Sequence, residues 1–149
     1  MPEVTRKRTL RAPREAVWRL VSDPYSLPRW WPATARVEDV EENAWTSVLT
    51  TPAGKSVRAD FTRVESEEER RVVWHQELEE SPFERVFSLA TTAIELQDAD
   101  SGESTRVALT AVERLRGRYK LGNWVVRRAA RRRLDDALAG LERALVPSE

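Results

Sequence analysis

The chain has 149 residues, of which 40% are hydrophobic and 34% charged, and it contains no cysteine. This length suits one domain with a sizeable core, and the missing cysteine excludes disulfides, thiolate metal ligands and a cysteine nucleophile. Lys and Arg together number 25, as do Asp and Glu, so no overall field favours nucleic acid or an anionic membrane.

Targeting signals are not apparent in the chain. The basic N-terminal residues are followed by no apolar run, and no stretch approaches the ~20 apolar residues that span a bilayer. We therefore expect a cytoplasmic protein with one domain over residues 1–149, as a monomer or homodimer, with no membrane span.

The first elements are a strand and two short helices. Residues 3–11 lack Gly and Pro and predict a strand, whose Arg6-Lys7-Arg8 suits an exposed sheet edge. Pro13 then opens a short helix with an apolar face around Val17 and Leu20. Asp23 is placed to cap a second helical turn, which Pro32 ends.

From residue 34 to about 113 the hydrophobic period becomes two, which indicates strands. Turn residues such as Pro52-Ala53-Gly54-Lys55 and Asp98 to Gly102 separate them by short links, so neighbouring strands should be antiparallel. The predicted strands are 35–42, 44–51, 56–65, 69–79, 84–97 and 104–114.

The last predicted element is a long amphipathic helix over about 121–146. Leu134, Leu138, Leu141 and Leu145 follow helical spacing and form one apolar stripe, and Pro147 ends the helix. Seven antiparallel strands and one such helix bury both apolar faces when the sheet curls around the helix. The sequence therefore predicts an α+β fold in which the two short helices lie between strands one and two and close one end.

Several segments resemble the START-like (SRPBCC, Bet v 1-like) helix-grip superfamily, and most closely its bacterial polyketide cyclase/dehydrase and lipid-transport-like branch. The segments are Ala12-Pro13-Arg14-Glu15-Ala16-Val17-Trp18, Asp23-Pro24, Pro28-Arg29-Trp30-Trp31, Ser81-Pro82-Phe83, Thr105-Arg106-Val107 and Leu134-Asp135-Asp136-Ala137-Leu138. The resemblance implies a seven-stranded curved sheet around the C-terminal helix and a cavity for a hydrophobic ligand. It does not decide between a carrier and an enzyme, because one fold serves many functions.

Motifs for cofactors and metals are missing. No G-x-G motif for a dinucleotide occurs. Gly117 and Gly122 have the spacing of the two glycines in a phosphate loop, but Asn123-Trp124 follows where that loop needs Lys and then Ser or Thr. His75 is the only histidine, and strand alternation puts it on the face opposite Val72 and Trp74, which favours a solvated role. We therefore expect neither a cofactor nor a metal, and assign no catalytic residue.

The N-terminal half of the last helix carries arginines on the apolar stripe. Extending the leucine stripe backwards at about 100° per residue places Arg127 and Arg131 on it, with Trp124 beside it. Three explanations stay open: the arginines bind an anionic ligand group in a cavity, pair with inward acids such as Asp60 or Glu95, or lie beyond the sheet in water. The neighbouring Arg128, Arg132 and Arg133 are predicted to be solvated.

Aromatic side chains complete the predicted cavity. The candidate ligand-binding residues are Trp30, Trp31, Trp45, Phe61, Trp74, Phe87, Trp124, Arg127 and Arg131. The first hypothesis is binding of a small apolar or amphipathic ligand, either aromatic or lipid-like. The second is a cyclase/dehydrase-type enzyme that uses the two arginines and His75, and the third is a protein or RNA interaction through the basic helix. Nucleic acid is not expected, because no known nucleic-acid module is present.

Overall fold

Seven antiparallel strands form one sheet, as predicted. The structure is a computed structural model and describes residues 3–117 and 122–146. The strands are β1 (Glu3–Leu10), β2 (Thr34–Glu38), β3 (Ala44–Thr50), β4 (Ser56–Glu67), β5 (Arg71–Glu77), β6 (Phe87–Ala99) and β7 (Ser104–Leu115). Their order across the sheet is β1-β7-β6-β5-β4-β3-β2. Consecutive strands from β2 to β7 are therefore neighbours, and β1 joins the far side of β7.

In the described residues, three α-helices accompany the sheet: α1 (Arg14–Val21), α2 (Leu27–Trp30) and α3 (Asn123–Leu145). The short helices α1 and α2 lie between β1 and β2 in the chain, as predicted. Before α2, the carboxylate of Asp23 accepts a hydrogen bond from the backbone N–H of Tyr25 at 3.0 Å, which confirms the expected cap. The predicted start of the long helix at residue 121 lies outside the described residues.

Two strand boundaries differ clearly from the prediction. β2 ends at Glu38 rather than residue 42, because Asp39 has a φ of 51°, which extended backbone cannot adopt. β6 begins at Phe87 rather than residue 84. In the segment before this strand, the hydroxyl of Ser81 accepts a hydrogen bond from the backbone N–H of Phe83 at 3.2 Å. This local turn takes the place of the first predicted hydrogen bonds between strands.

The core lies between the inner face of the sheet and α3. Leu134, Leu138 and Leu141 are each no more than 1% exposed, so the predicted stripe is buried along most of its length. On β7, Val107 and Leu109 are fully buried two residues apart, as strand alternation requires. Within the described ranges, no helix has both the length and the apolar character needed to cross a bilayer.

Helix α2 packs unusually close to α3. A Cβ added at Gly140 of α3 would lie 2.2 Å from the carbonyl oxygen of Trp30, at the end of α2, and 2.9 Å from its carbonyl carbon. Only glycine permits this approach of a backbone carbonyl to a helix surface. The contact fixes the position of α2, and therefore that of Trp31, which follows it.

Candidate ligand cavity

A cavity of about 170 Å³ lies between the inner face of the sheet, α2 and α3. Its walls are mostly apolar, with a few polar groups on the strands and α3. The lining residues are Leu27, Trp31, Trp45, Ser47, Leu49, Phe61, Trp74, Gln76, Phe83, Phe87, Ala90, Thr91, Thr92, Glu113 and Arg133. An apolar enclosure with a small number of polar groups is the usual form of a small-molecule site.

The aromatic wall is one connected set of rings. Trp74 touches Trp31 on one side, with ring centroids 5.7 Å apart, and Trp45 on the other at 5.6 Å, both edge to face. Trp45 stacks on Phe61 at 5.7 Å with 14° between the planes. Contacts of this kind add about 0.5–1.5 kcal/mol per pair beyond area burial. The wall is therefore held in place by its own members.

Strand register brings these side chains together. Trp45 of β3 is directly opposite Phe61 of β4, and Phe61 is directly opposite Gln76 of β5. Directly paired residues on neighbouring antiparallel strands have their side chains close together on one face. This row places the Gln76 amide beside the aromatic wall.

An ion pair lines the polar part of the cavity. Glu113 occurs on β7 in phase with Ala111 and Leu115, each 3% exposed, so its carboxylate points to the inner side. Its Oε1 lies 3.1 Å from Nη2 of Arg133 on α3, and the two side chains are 12% and 34% exposed. The two opposite charges compensate each other, and the carboxylate is the more buried of the two.

Two donors in the cavity walls lack a partner among the described residues. These are the indole N–H of Trp45 and the amide nitrogen of Gln76, both with almost no solvent exposure. A buried donor without an acceptor costs roughly 1–3 kcal/mol. The wall therefore holds unused capacity to donate hydrogen bonds.

Five of the predicted candidates line the cavity: Trp31, Trp45, Phe61, Trp74 and Phe87. Trp30 is 3% exposed and packs edge to face on Trp31 at 5.3 Å, so it supports the wall from behind. Trp124, Arg127 and Arg131 are exposed and do not line the cavity. Of the three explanations offered for the two arginines, the structure favours solvent exposure.

The placement of the arginines has a geometric cause. The first buried residue of α3 is Ala130, so the turns that carry Trp124 and Arg127 lie beyond the packed part of the helix. Farther along, Ala137 and Gly140 are buried beside the leucines and widen the buried surface on one flank. That flank includes Arg133, whereas Arg131 lies on the opposite flank, in solvent.

Sequence reasoning missed both members of the ion pair. Arg133 was expected to be solvated, and the inward acids proposed as partners were Asp60 and Glu95. Both acids are exposed: Asp60 accepts a bond from Thr46 at 2.5 Å, and Glu95 pairs with Arg71 at 2.9 Å. A signal for Glu113 was available, because it shares the two-residue period of Val107, Leu109, Ala111 and Leu115.

His75 lies outside the cavity lining, on the outer side of β5 as alternation predicts. Its Nε2 is 2.9 Å from Oε1 of Glu77, and its side chain is 38% exposed. Across the part of the chain that the structure describes, no group of His, Asp and Glu residues could hold a metal ion.

Comparison with known proteins gives a family and a fold. The family model described as "Polyketide cyclase / dehydrase and lipid transport" matches residues 1–146. Among solved structures, the chain is similar to the di-domain aromatase/cyclase BexL of the BE-7585A biosynthetic pathway, with a TM-score of 0.80 and 24% identity, over 96% of this chain and 46% of BexL.

Two further structures are similar over nearly their whole length. The Zhui aromatase/cyclase from Streptomyces sp. R1128 has a TM-score of 0.77 and 18% identity, over 94% of this chain and 90% of Zhui. A protein from Thermus thermophilus has a TM-score of 0.74 and 26% identity, over 95% of both chains. A search of curated proteins returned no significant match. These likenesses support the START-like fold.

Proposed function

Because the chain belongs to the polyketide cyclase / dehydrase and lipid transport family, we propose that its cavity binds a small, largely apolar aromatic molecule. The observation that carries this proposal is the aromatic wall beside a compensated ion pair. Burial of apolar ligand surface against Trp31, Trp45 and Trp74 supplies the driving force, at about 25 cal/mol per Å² before ordering costs. The polar groups of the cavity lining orient the ligand.

Cavity size limits the ligand. The volume of about 170 Å³ is close to that of an engineered apolar cavity of about 150 Å³ that holds benzene. It is below the roughly 300–1,000 Å³ of typical drug-sized sites. One aromatic ring with a short substituent therefore fits the cavity as it stands, and ethylbenzene is a suitable probe.

Filling the cavity should weaken ligand binding without unfolding the protein. We expect Ala90→Phe, on β6 in the cavity lining, to weaken ethylbenzene binding at least about tenfold, because the new ring occupies the ligand volume. Ala93→Phe is the matched control, since Ala93 is on the same strand outside the lining. Titration calorimetry measures both variants, and unchanged binding by Ala90→Phe would place the ligand elsewhere.

A second candidate function is enzymatic, and Glu113 favours it. Its carboxylate is the only one among the described cavity-lining residues, and such a group can take a proton from the carbon next to a ligand carbonyl. In a dehydration, that proton transfer forms the carbon–carbon double bond as the carbon–oxygen bond of a β-hydroxyl group breaks. The protonated Glu113 returns this proton to the hydroxyl, which leaves as water, so the carboxylate is regenerated and the reaction consumes no oxidant or cofactor.

This candidate predicts turnover of a small β-hydroxy ketone. We expect the protein to convert 3-hydroxycyclohexanone to cyclohex-2-enone and water, and Glu113→Gln to lower the rate by about 10²–10⁴-fold by removing the base. Ultraviolet absorbance of the conjugated product follows the reaction. Arg132→Met, a change at an exposed position of α3, serves as the control. A wild-type rate equal to the rate in buffer alone would contradict the enzymatic function and leave the binding function unaffected.

A further inference from the structure

The two ionised groups that line the cavity cancel each other. Among the described lining residues, only Glu113 and Arg133 carry charge; the other polar ones are Ser47, Gln76, Thr91 and Thr92. Arg133 has no other ion-pair partner within the described ranges, and Glu113 reaches it at 3.1 Å. The site is therefore neutral overall, with both charges already in use.

A charged ligand would disturb this pair. An anionic group that approached Arg133 would also meet the carboxylate of Glu113, and a cationic group that approached Glu113 would meet the guanidinium. Separation of the pair would leave one charge uncompensated at a site where Glu113 is only 12% exposed, which is strongly unfavourable. Either kind of ion therefore gains one attraction and adds one repulsion.

A neutral acceptor meets no such conflict. Guanidinium has five N–H donors and no acceptor, and the contact with Glu113 uses the Nη2 end. Arg133 lines the cavity, so its remaining donors are left for a carbonyl or ether oxygen of the ligand while the ion pair stays intact. The unpartnered donors of Trp45 and Gln76 add to the demand for an acceptor in this cavity.

Resting on the proposed binding function, we infer that the Glu113–Arg133 pair makes the cavity selective for uncharged single-ring compounds that carry a hydrogen-bond acceptor oxygen. Glu113 acts by holding Arg133 in place and by excluding anions. Arg133 supplies the donor that distinguishes an oxygenated ligand from a hydrocarbon of the same shape.

Four compounds of similar size test the inference by calorimetry on the full chain: ethylbenzene, acetophenone, benzoate and benzylamine. We expect acetophenone to bind about tenfold more tightly than ethylbenzene, the ratio that one charge-assisted hydrogen bond gives. Benzoate and benzylamine should each bind at least about tenfold more weakly than acetophenone. Tighter binding of benzoate than of acetophenone would overturn the inference without any variant.

The double variant Glu113→Gln/Arg133→Met removes both charges together, so that neither is left alone, and circular dichroism verifies its fold. We expect it to lose the preference for acetophenone over ethylbenzene, whereas Arg132→Met, at an exposed position of α3, keeps that preference. A preference that persists in the double variant would overturn the role of the pair. Binding of none of the four compounds by the wild type would overturn the proposed function and this inference together, while equal binding of ethylbenzene and acetophenone would overturn the inference alone.

Discussion

Gly140→Ala should destabilise the protein by about 2–3 kcal/mol, although alanine is the better helix former by about 1 kcal/mol. The new Cβ would lie 2.2 Å from the carbonyl oxygen of Trp30. The obstructing atom belongs to the backbone, so α2 and α3 must move apart to relieve the clash. Urea unfolding measures the loss, and the melting temperature should fall by roughly 4–12 °C.

Ala129→Gly provides the reverse substitution on the same helix. Ala129 is exposed on α3. Glycine at this position should therefore lower the free energy of unfolding only through its lower helix propensity, by about 1 kcal/mol. The two variants together separate helix propensity from the clash. Because Trp31 follows α2, Gly140→Ala should also weaken ethylbenzene binding. A more stable Gly140→Ala variant would show that the close contact between the helices does not exist.

Trp74→Ala should cost about 3–5 kcal/mol, the largest single loss expected in the cavity wall. Trp74 is 4% exposed and its ring contacts both Trp31 and Trp45. Removal of the indole takes away buried apolar area and leaves Trp31 and Trp45 without their shared neighbour. Chemical denaturation followed by circular dichroism gives the change in the free energy of unfolding.

Trp124→Ala is the matched control, because the same side chain is removed from a position that is 67% exposed. It should change stability by no more than about 0.5 kcal/mol. The Trp74→Ala variant should also bind a larger ligand: its affinity for naphthalene relative to ethylbenzene should be higher than that of the wild type. Equal losses of stability in the two tryptophan variants would contradict the assignment of Trp74 to the wall.

The sequence was most informative where one face of an element is buried without interruption. Val107 and Leu109 alternate with the less hydrophobic Arg106, Ala108 and Thr110 on β7. Leu134 and Leu138 repeat at helical spacing on α3, so both elements could be predicted from the hydrophobic period. Most of the aromatic wall followed from the same alternation. A boundary set by a single backbone conformation leaves no signal in the hydrophobic pattern, as at Asp39, whose positive φ ends β2 after Glu38.

Helix rotation was the part of the site that the sequence could not determine. The leucine stripe gives an approximate direction for the buried side of α3, but its true centre depends on Ala137 and Gly140. These residues have little or no side chain, so they are weak markers of burial in a hydrophobic pattern. Because both are buried, the buried side of α3 is centred closer to Arg133 than to Arg131, and Arg133 is the arginine that lines the cavity. From the sequence alone, Gly140 indicates only a position of low helix propensity. Its role in packing depends on Trp30, which is 110 residues earlier in the chain.

The strand order has a consequence for the newly made chain. β1 leaves the ribosome before the other strands, yet in the described sheet its neighbour is the last strand, β7, where Arg6 lies opposite Leu109 in the register. Until β7 is made, the backbone donors and acceptors of β1 have no native partner, and an unpaired strand can bind other chains. The positive charges of Arg6, Lys7 and Arg8 repel an identical strand during this interval.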